Sequence, residues 1–279
     1  MHAASAAYDW FVLPGGLVLE DGRRLTRAAL RPLTGREEDW LASHPSAASA
    51  VVVTGLLGAC LAQLDDMPGS ADLARRILVG DREYLMLQLR RMTLGDTIRA
   101  VFVCPACGEK MDVELSAGEI VIERRPQEAA SYTHAVDDAS TGGRMLRFRL
   151  PTGADQEAVL DLDVERAAEA ILHRCIVDDG GAALLPAEQE AVIAAMDRLA
   201  PQLDLELELT CPECGHAFVE PFDLTTFFRS EMRIGGAQLL REVHHLALHY
   251  HWSEAEILSL TRARRHTYLA LLSEALRPD

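Results

Sequence analysis

Two short runs constrain this chain more than anything else in it: Cys104-Pro105-Ala106-Cys107-Gly108 and Cys211-Pro212-Glu213-Cys214-Gly215. A CxxC on a tight turn points two sulfurs the same way and supplies half of a tetrahedral metal shell; two such knuckles supply a closed shell of four thiolates, which is a structural rather than a catalytic arrangement. The proline stiffens the turn, and the glycine permits the left-handed backbone that brings amides toward the sulfurs. The spacing predicts one structural Zn2+ held by Cys104, Cys107, Cys211 and Cys214. Two redox pairs, four ordinary buried cysteines, and iron in the same shell are the competing readings. Cys60 and Cys175 stand alone in apolar helical contexts and read as core. The 103 residues between Cys107 and Cys211 require the two knuckles to be neighbours in space, so the intervening chain must leave and return at one place.

Both knuckles sit between alternating runs. Ile98, Ala100 and Phe102 lead into the first, and Met111, Val113 and Leu115 come after it; Leu203, Leu205, Leu207 and Leu209 lead into the second, and Phe218 and Val219 come after it. This strand-knuckle-strand repeat predicts one zinc ribbon split by an insert. The fold class expected is α+β. A mainly helical N-terminal region (1–98) precedes the first half of the ribbon (99–122). An inserted hairpin-plus-helices segment (123–202) separates it from the second half (203–224), and a helical module (225–279) ends the chain.

Local signals fill in these parts. Short apolar runs broken by Pro14-Gly15-Gly16 and Asp21-Gly22 predict opening strands. Thr34 with Glu37 forms a capping box, and Ser70 and Asp81 are further N-cap candidates. Ala47–Leu64 reads as a buried helix. It is too polar to span a membrane, and with no signal-peptide order at the start it points to cytosolic synthesis and no membrane insertion. After Asp81, Leu85, Leu89 and Met92 recur at helical spacing, with Arg82, Arg90 and Arg91 on the polar side. In the insert, strands near 132–136 and 146–150 flank a turn at Asp137–Gly143. Thr152 caps a helix whose expected buried face is Val159, Leu160, Val164, Ala168, Ile171, Leu172 and Cys175, and Gly180-Gly181 ends it. Pro186 opens another helix that Pro201 stops. Ser253 and Glu256 start the last helix, whose Arg262, Arg264 and Arg265 are expected to face solvent or a partner.

The charge of −16 over 279 residues argues against nucleic acid and anionic lipid as partners, since both want a basic face. The basic residues are a single lysine, Lys110, and 26 arginines. His244, His245, His249 and His251 cluster near the end. His245 and His249 are four apart and could share a metal, but Leu-Ala-Leu between them leaves no glutamate base; packing or surface roles compete. No nucleophilic triad or phosphate loop stands out.

Asp81-Arg82-Glu83-Tyr84-Leu85, Leu94-Gly95-Asp96 and the first knuckle resemble a segment of baseplate proteins of contractile-tailed phages and extracellular contractile injection systems. Leu150-Pro151-Thr152-Gly153-Ala154-Asp155 and the second knuckle are similar to the later part of proteins in that family. Arg241-Glu242-Val243, His249 to Glu254 and Arg264-Arg265 look like a short helical module encoded in such loci. The likeness covers roughly residues 75–279. It implies a non-enzymatic, zinc-stabilised structural component that docks other baseplate or tail subunits in the assembled particle. An assembly chaperone for the baseplate hub is the first alternative, and a metal-dependent or redox enzyme the second. It carries over no catalytic residues, only the four cysteines.

Overall fold

The computed structural model describes residues 8–136, 144–178, 184–203 and 205–277, with backbone alone for 233–235. The turn expected at Asp137–Gly143, the pair Gly180-Gly181 and Asp204 lie outside these residues.

Strands β1 (Asp9–Val18) and β2 (Arg24–Leu30) form a hairpin across Asp21-Gly22. Helices α1 (Gly35–Ser43) and α2 (Ser49–Cys60), strands β3 (Leu61–Leu64) and β4 (Met67–Pro68), and helices α3 (Ala71–Arg76) and α4 (Val79–Leu94) come next. The first four strands make one antiparallel sheet in the order β1-β2-β3-β4. The first knuckle lies between β5 (Thr97–Val103) and β6 (Lys110–Ser116). After β7 (Ile122–Glu123) come β8 (Tyr132–Val136), β9 (Arg144–Phe148), α5 (Gly153–Glu157), α6 (Val164–Cys175), β10 (Ile176–Asp178) and α7 (Pro186–Leu199). Strand β11 (Gln202–Leu203) then pairs with β7, Gln202 opposite Glu123 and Leu203 opposite Ile122, so this segment ends beside the place where it began. The second knuckle joins β12 (Glu206–Thr210) to β13 (Ala217–Pro221), and α8 (Leu224–Tyr250), α9 (Glu254–Leu258) and α10 (Arg262–Ala275) close the chain.

Apolar side chains gather around three centres. The main core joins the first sheet, α1, α2 and α4 to Ile98 and Ala100 of β5 and to Phe222, Leu224, Phe228 and Met232. A second lies inside the insert, around Leu146, Phe148, Leu172 and Val192. The third holds Leu239, Val243 and Leu246 of α8 against Ile257 and the Tyr250–Trp252–Tyr268 stack. Helix α8 therefore begins in one core and ends in another. Among the described residues no helix is long and apolar enough to cross a membrane.

Helix starts follow their signals at Thr34, Ser70, Thr152 and Ser253. Elsewhere tertiary contacts overrule the local reading. Within residues 8–98, beside four helices, β3 and β4 extend the two opening strands into a four-stranded sheet. The helix expected over 47–64 stops at Cys60, and Leu61–Leu64 turns to pair with β2. Pro14-Gly15-Gly16 does not interrupt β1; it forms a bulge between Val12 and Leu17. Asp81 explains that bulge. Rather than capping α4, it sits buried in its first turn and accepts from the amides of Gly15 (2.7 Å) and Gly16 (2.8 Å). The helix begun at Thr152 ends at Glu157, and Asp163 caps a new one at the Arg166 amide. Of the expected buried face, Val159, Leu172 and Cys175 are buried, whereas Leu160 and Val164 are 42% and 82% exposed, and Ala168 is exposed too.

The arginines depart most from expectation. Arg265, assigned to solvent or a partner, is wholly buried. Its Nε donates to Glu242 at 2.9 Å and its Nη2 to Glu38 at 2.9 and 3.0 Å, while Nη1 reaches the Leu260 carbonyl. The break between α9 and α10 makes this possible, because Thr261 restarts the helix and bridges to Thr34. Arg90 is also buried. It takes the carbonyls of Gly95 and Thr97, both at 2.7 Å, and pairs with Glu231 of α8 at 2.8 Å. Arg82 donates to the carbonyls of Ala74 (2.7 Å) and Ala50 (3.0 Å) and to the Thr54 hydroxyl (3.0 Å), which itself donates to Glu157. Its Nε has no partner among the described residues, and burial pushes the guanidinium down to about 10. A Cβ on Gly153 would lie 2.1 Å from Arg82 Nη1, so only glycine fits there.

Replacing Arg265 with methionine removes the buried cation shared by Glu38 and Glu242, leaving Glu38 only the long contact to Arg262 (3.5 Å) and Glu242 only the half-exposed His266 (3.0 Å), and R265M is expected to lose about 3–5 kcal/mol in urea unfolding. Adding E38Q and E242Q is expected to recover more than half of that loss. A second expectation concerns acid. Burial alone would raise Asp155, but Arg149, at 2.6 and 2.8 Å, and Thr152 bring it down to about 2. A carboxyl lowered on folding stabilises above its unfolded value of about 3.9, and that contribution fades as pH falls toward 2. Asp81 has the opposite sign: burial raises it to about 6, so its ionisation opposes folding as pH rises from about 4 through 6. Between pH 4 and 2, D155N is expected to lose less stability than the parent, measured by unfolding midpoints at each pH.

Candidate metal centre

The two knuckles are built alike. In the first, the Gly108 amide donates to the Cys104 carbonyl and the Cys104 amide to the Glu109 carbonyl; in the second, Gly215 donates to Cys211 and Cys211 to His216. All four bonds measure 2.9 Å. Gly108 and Gly215 take the left-handed backbone, with φ of 75° and 72°, which a side chain would resist. The alternation on either side sets what lies beneath: Phe102, Met111 and Val113 from one hairpin and Leu209 and Phe218 from the other pack around Cys104 and Cys211.

The structure brings the four cysteines together. Their sulfurs all lie within 4.8 Å of one another. Cys104 and Cys214 are 3.7 Å apart, as are Cys107 and Cys211. Sulfurs about 2.3 Å from a tetrahedral metal stand about 3.8 Å apart, so the donor set fits a metal ion. Cys104 and Cys211 are buried, whereas Cys107 and Cys214 face solvent. Burial pushes the Cys104 thiol up, but the amides of Cys107 and Ala106 and the neighbouring sulfurs outweigh it and bring it to about 7. Cys107 accepts from the Glu109 amide, yet the crowding of Cys214, burial, Cys104 and Cys211 raise it to about 12. Four thiols this close do not all ionise unaided. A cation that neutralises them is what the cluster asks for.

The other cysteines stay apart from the site. Burial raises Cys60 to about 12 and Cys175 to about 11, as expected of core thiols. The histidines are not drawn into a cluster with metal-ligating geometry among the described residues. His244 and His245 face each other with ring centroids 5.7 Å apart, and His249 and His251 are exposed. The alternation around each knuckle marks the residues under the cysteines. The carbonyls of Glu109 and His216, which fix the knuckle amides, escape a reading of side chains alone; the equal spacing of the two repeats is the signal that could find them.

A family model described as T4 bacteriophage base plate protein matches residues 25–229. The matched span contains both knuckles and everything between them, and it ends within the first turns of α8. No curated protein and no solved structure matches the chain.

Purified protein is expected to carry one metal ion per chain by native mass spectrometry. C104S or C211S is expected to lower both metal content and soluble yield, while C60A keeps the metal. Two ions per chain, or none, would defeat the single shared site.

Proposed function

The chain belongs to the family of T4 bacteriophage base plate proteins, and from that premise we propose that it is a non-enzymatic, zinc-stabilised structural component of a contractile tail or injection-system baseplate. Family membership carries the reading, because such proteins work among other baseplate components in a tail assembly. The role is positional. Four thiolates with no open coordination position suit a structural zinc, whose borderline softness and tetrahedral preference match the donor set. When bound, that ion supplies a rigid cross-link and no chemistry on a substrate.

The chain's own residues supply the rest. The paired β7 and β11 hold the inserted segment at its neck. Glu38, Arg265 and Glu242 hold the terminal helices against α1. Each surface is thereby held in a fixed position relative to the others, and partners dock on them. Closing a loop of about 100 residues costs about 4 kcal/mol in chain entropy, a cost that the clip and the neck share.

Mass spectrometry of purified tail particles tests the proposal. The chain is expected at a fixed stoichiometry to the other baseplate subunits. Its absence from finished particles, together with recovery on partly assembled hubs, would replace this reading with that of an assembly chaperone.

A further inference from the structure

Strand β1 closes one side of the four-stranded sheet, and the chain already uses part of its outer edge. The Arg125 amide donates to the Pro14 carbonyl and the Gln127 amide to that of Gly15, so the segment entering the insert runs along the bulged half of β1. The pairing says what the other half offers. The Asp65 amide donates to the Arg27 carbonyl, so Arg27 turns its backbone groups toward β3. Val12, opposite Arg27, and Trp10, opposite Ala29, then point their N–H and C=O groups away from β2. Accordingly, Arg124 reaches the Val12 carbonyl from outside, at 3.1 Å. The Val12 N–H and both backbone groups of Trp10 have no partner among the described residues.

The side chains along this half are apolar, with a cation on either face. Alternation puts Tyr8, Trp10 and Val12 in one row, 46%, 45% and 52% exposed, and sends Asp9 and Phe11 to the opposite face. Arg27 lies beside the row, its guanidinium 4.9 Å from the centre of the Trp10 ring. Arg124 stands on the Phe11 side, 5.8 Å from the ring of Tyr84, which packs against Phe11. Neither arginine has a carboxylate partner among the described residues, although the chain carries −16 overall. An open strand edge beside an apolar row is a template for strand addition, and its charges choose the partner. We propose that the Tyr8–Val12 half of β1 takes, as an added strand, an extended segment of a neighbouring subunit in which apolar residues alternate with glutamate or aspartate. The apolar side chains lie along Trp10 and Val12, and the carboxylates on the other face meet Arg124, while Arg27 holds off basic segments. The second lone pair of the Val12 carbonyl accepts the incoming amide, so Arg124 keeps its bond there. This partner surface rests on the reading of the chain as a docking subunit.

A fluorescein-labelled octapeptide of alternating glutamate and valine, titrated into the full-length protein, tests it. Binding by anisotropy is expected, with none of the arginine–valine counterpart, and with slowed amide exchange at Trp10 and Val12. V12P removes an N–H that β2 does not use and is expected to abolish binding while retaining the cooperative unfolding transition. The double variant R27Q/R124Q, which leaves every cysteine and core residue in place, is expected to weaken binding about fivefold. R241Q/R277Q makes the same change in net charge on the terminal helices and is expected to bind like the parent. No binding below about 1 mM, full binding by V12P or R27Q/R124Q, or equal loss in both arginine pairs would overturn the proposal. So would a dimer of the parent in analytical ultracentrifugation that V12P dissolves, which gives the edge to a second copy of the chain. Recovery in tail particles is read separately. Peptide binding without recovery removes the baseplate reading alone, and recovery without peptide binding removes the β1 edge alone.

Discussion

Four sulfurs contributed by two distant stretches of chain have to meet at one point, and much of the architecture answers to that requirement. The chain cannot wander between them; it must come back to where it left. The short pairing of β7 with β11 is where it does so, and the segment beyond carries its own small core around Phe148 and Val192. A chain with only 5% aromatic residues has few large apolar anchors for holding such parts in register, and a four-cysteine cluster with a β neck stands at that junction.

Buried arginines are the second means of joining parts. Arg82 ties α2 and α3 to α4 and packs directly on Gly153 of the insert. Arg90 ends α4 and reaches α8, and Arg265 links α10 to both α1 and α8. A guanidinium suits these junctions because its five donors reach carbonyls and carboxylates on several elements at once. The arrangement is directional and sharp in its consequences. An apolar contact tolerates a small shift, whereas a buried charge that loses its partner does not.

What the sequence discloses divides along the same line. Both knuckles, their flanking strands and four of the helix caps are legible, because each depends on residues within a few positions of one another. Arg265 reads as exposed because its counterions, Glu38 and Glu242, lie 227 and 23 residues away, and nothing near it signals burial. Asp81 reads as a cap for the same reason, since its true partners are amides of β1. The long helices predicted after Thr152 and Ser253 each divide at a second capping residue, Asp163 and Thr261. The apolar period carries across both breaks, so periodicity alone joins what the caps separate. The meeting of the four sulfurs is inferable from spacing, but the cations flanking the edge of β1 are not, because Arg124 lies 112 residues from Val12.

Helix α8 has one further consequence. It is 27 residues long, about 40 Å at 1.5 Å per residue. Phe228 and Met232 are rooted in the main core, and Val243 and Leu246 in the terminal one. A helix is stiff along its axis, so the two ends cannot shift independently. Load applied to the terminal helices is delivered as a push or pull on Glu231, and through Arg90 to the foot of β5. Helix α8 is thus a strut between the outer helices and the hairpins that carry the four cysteines.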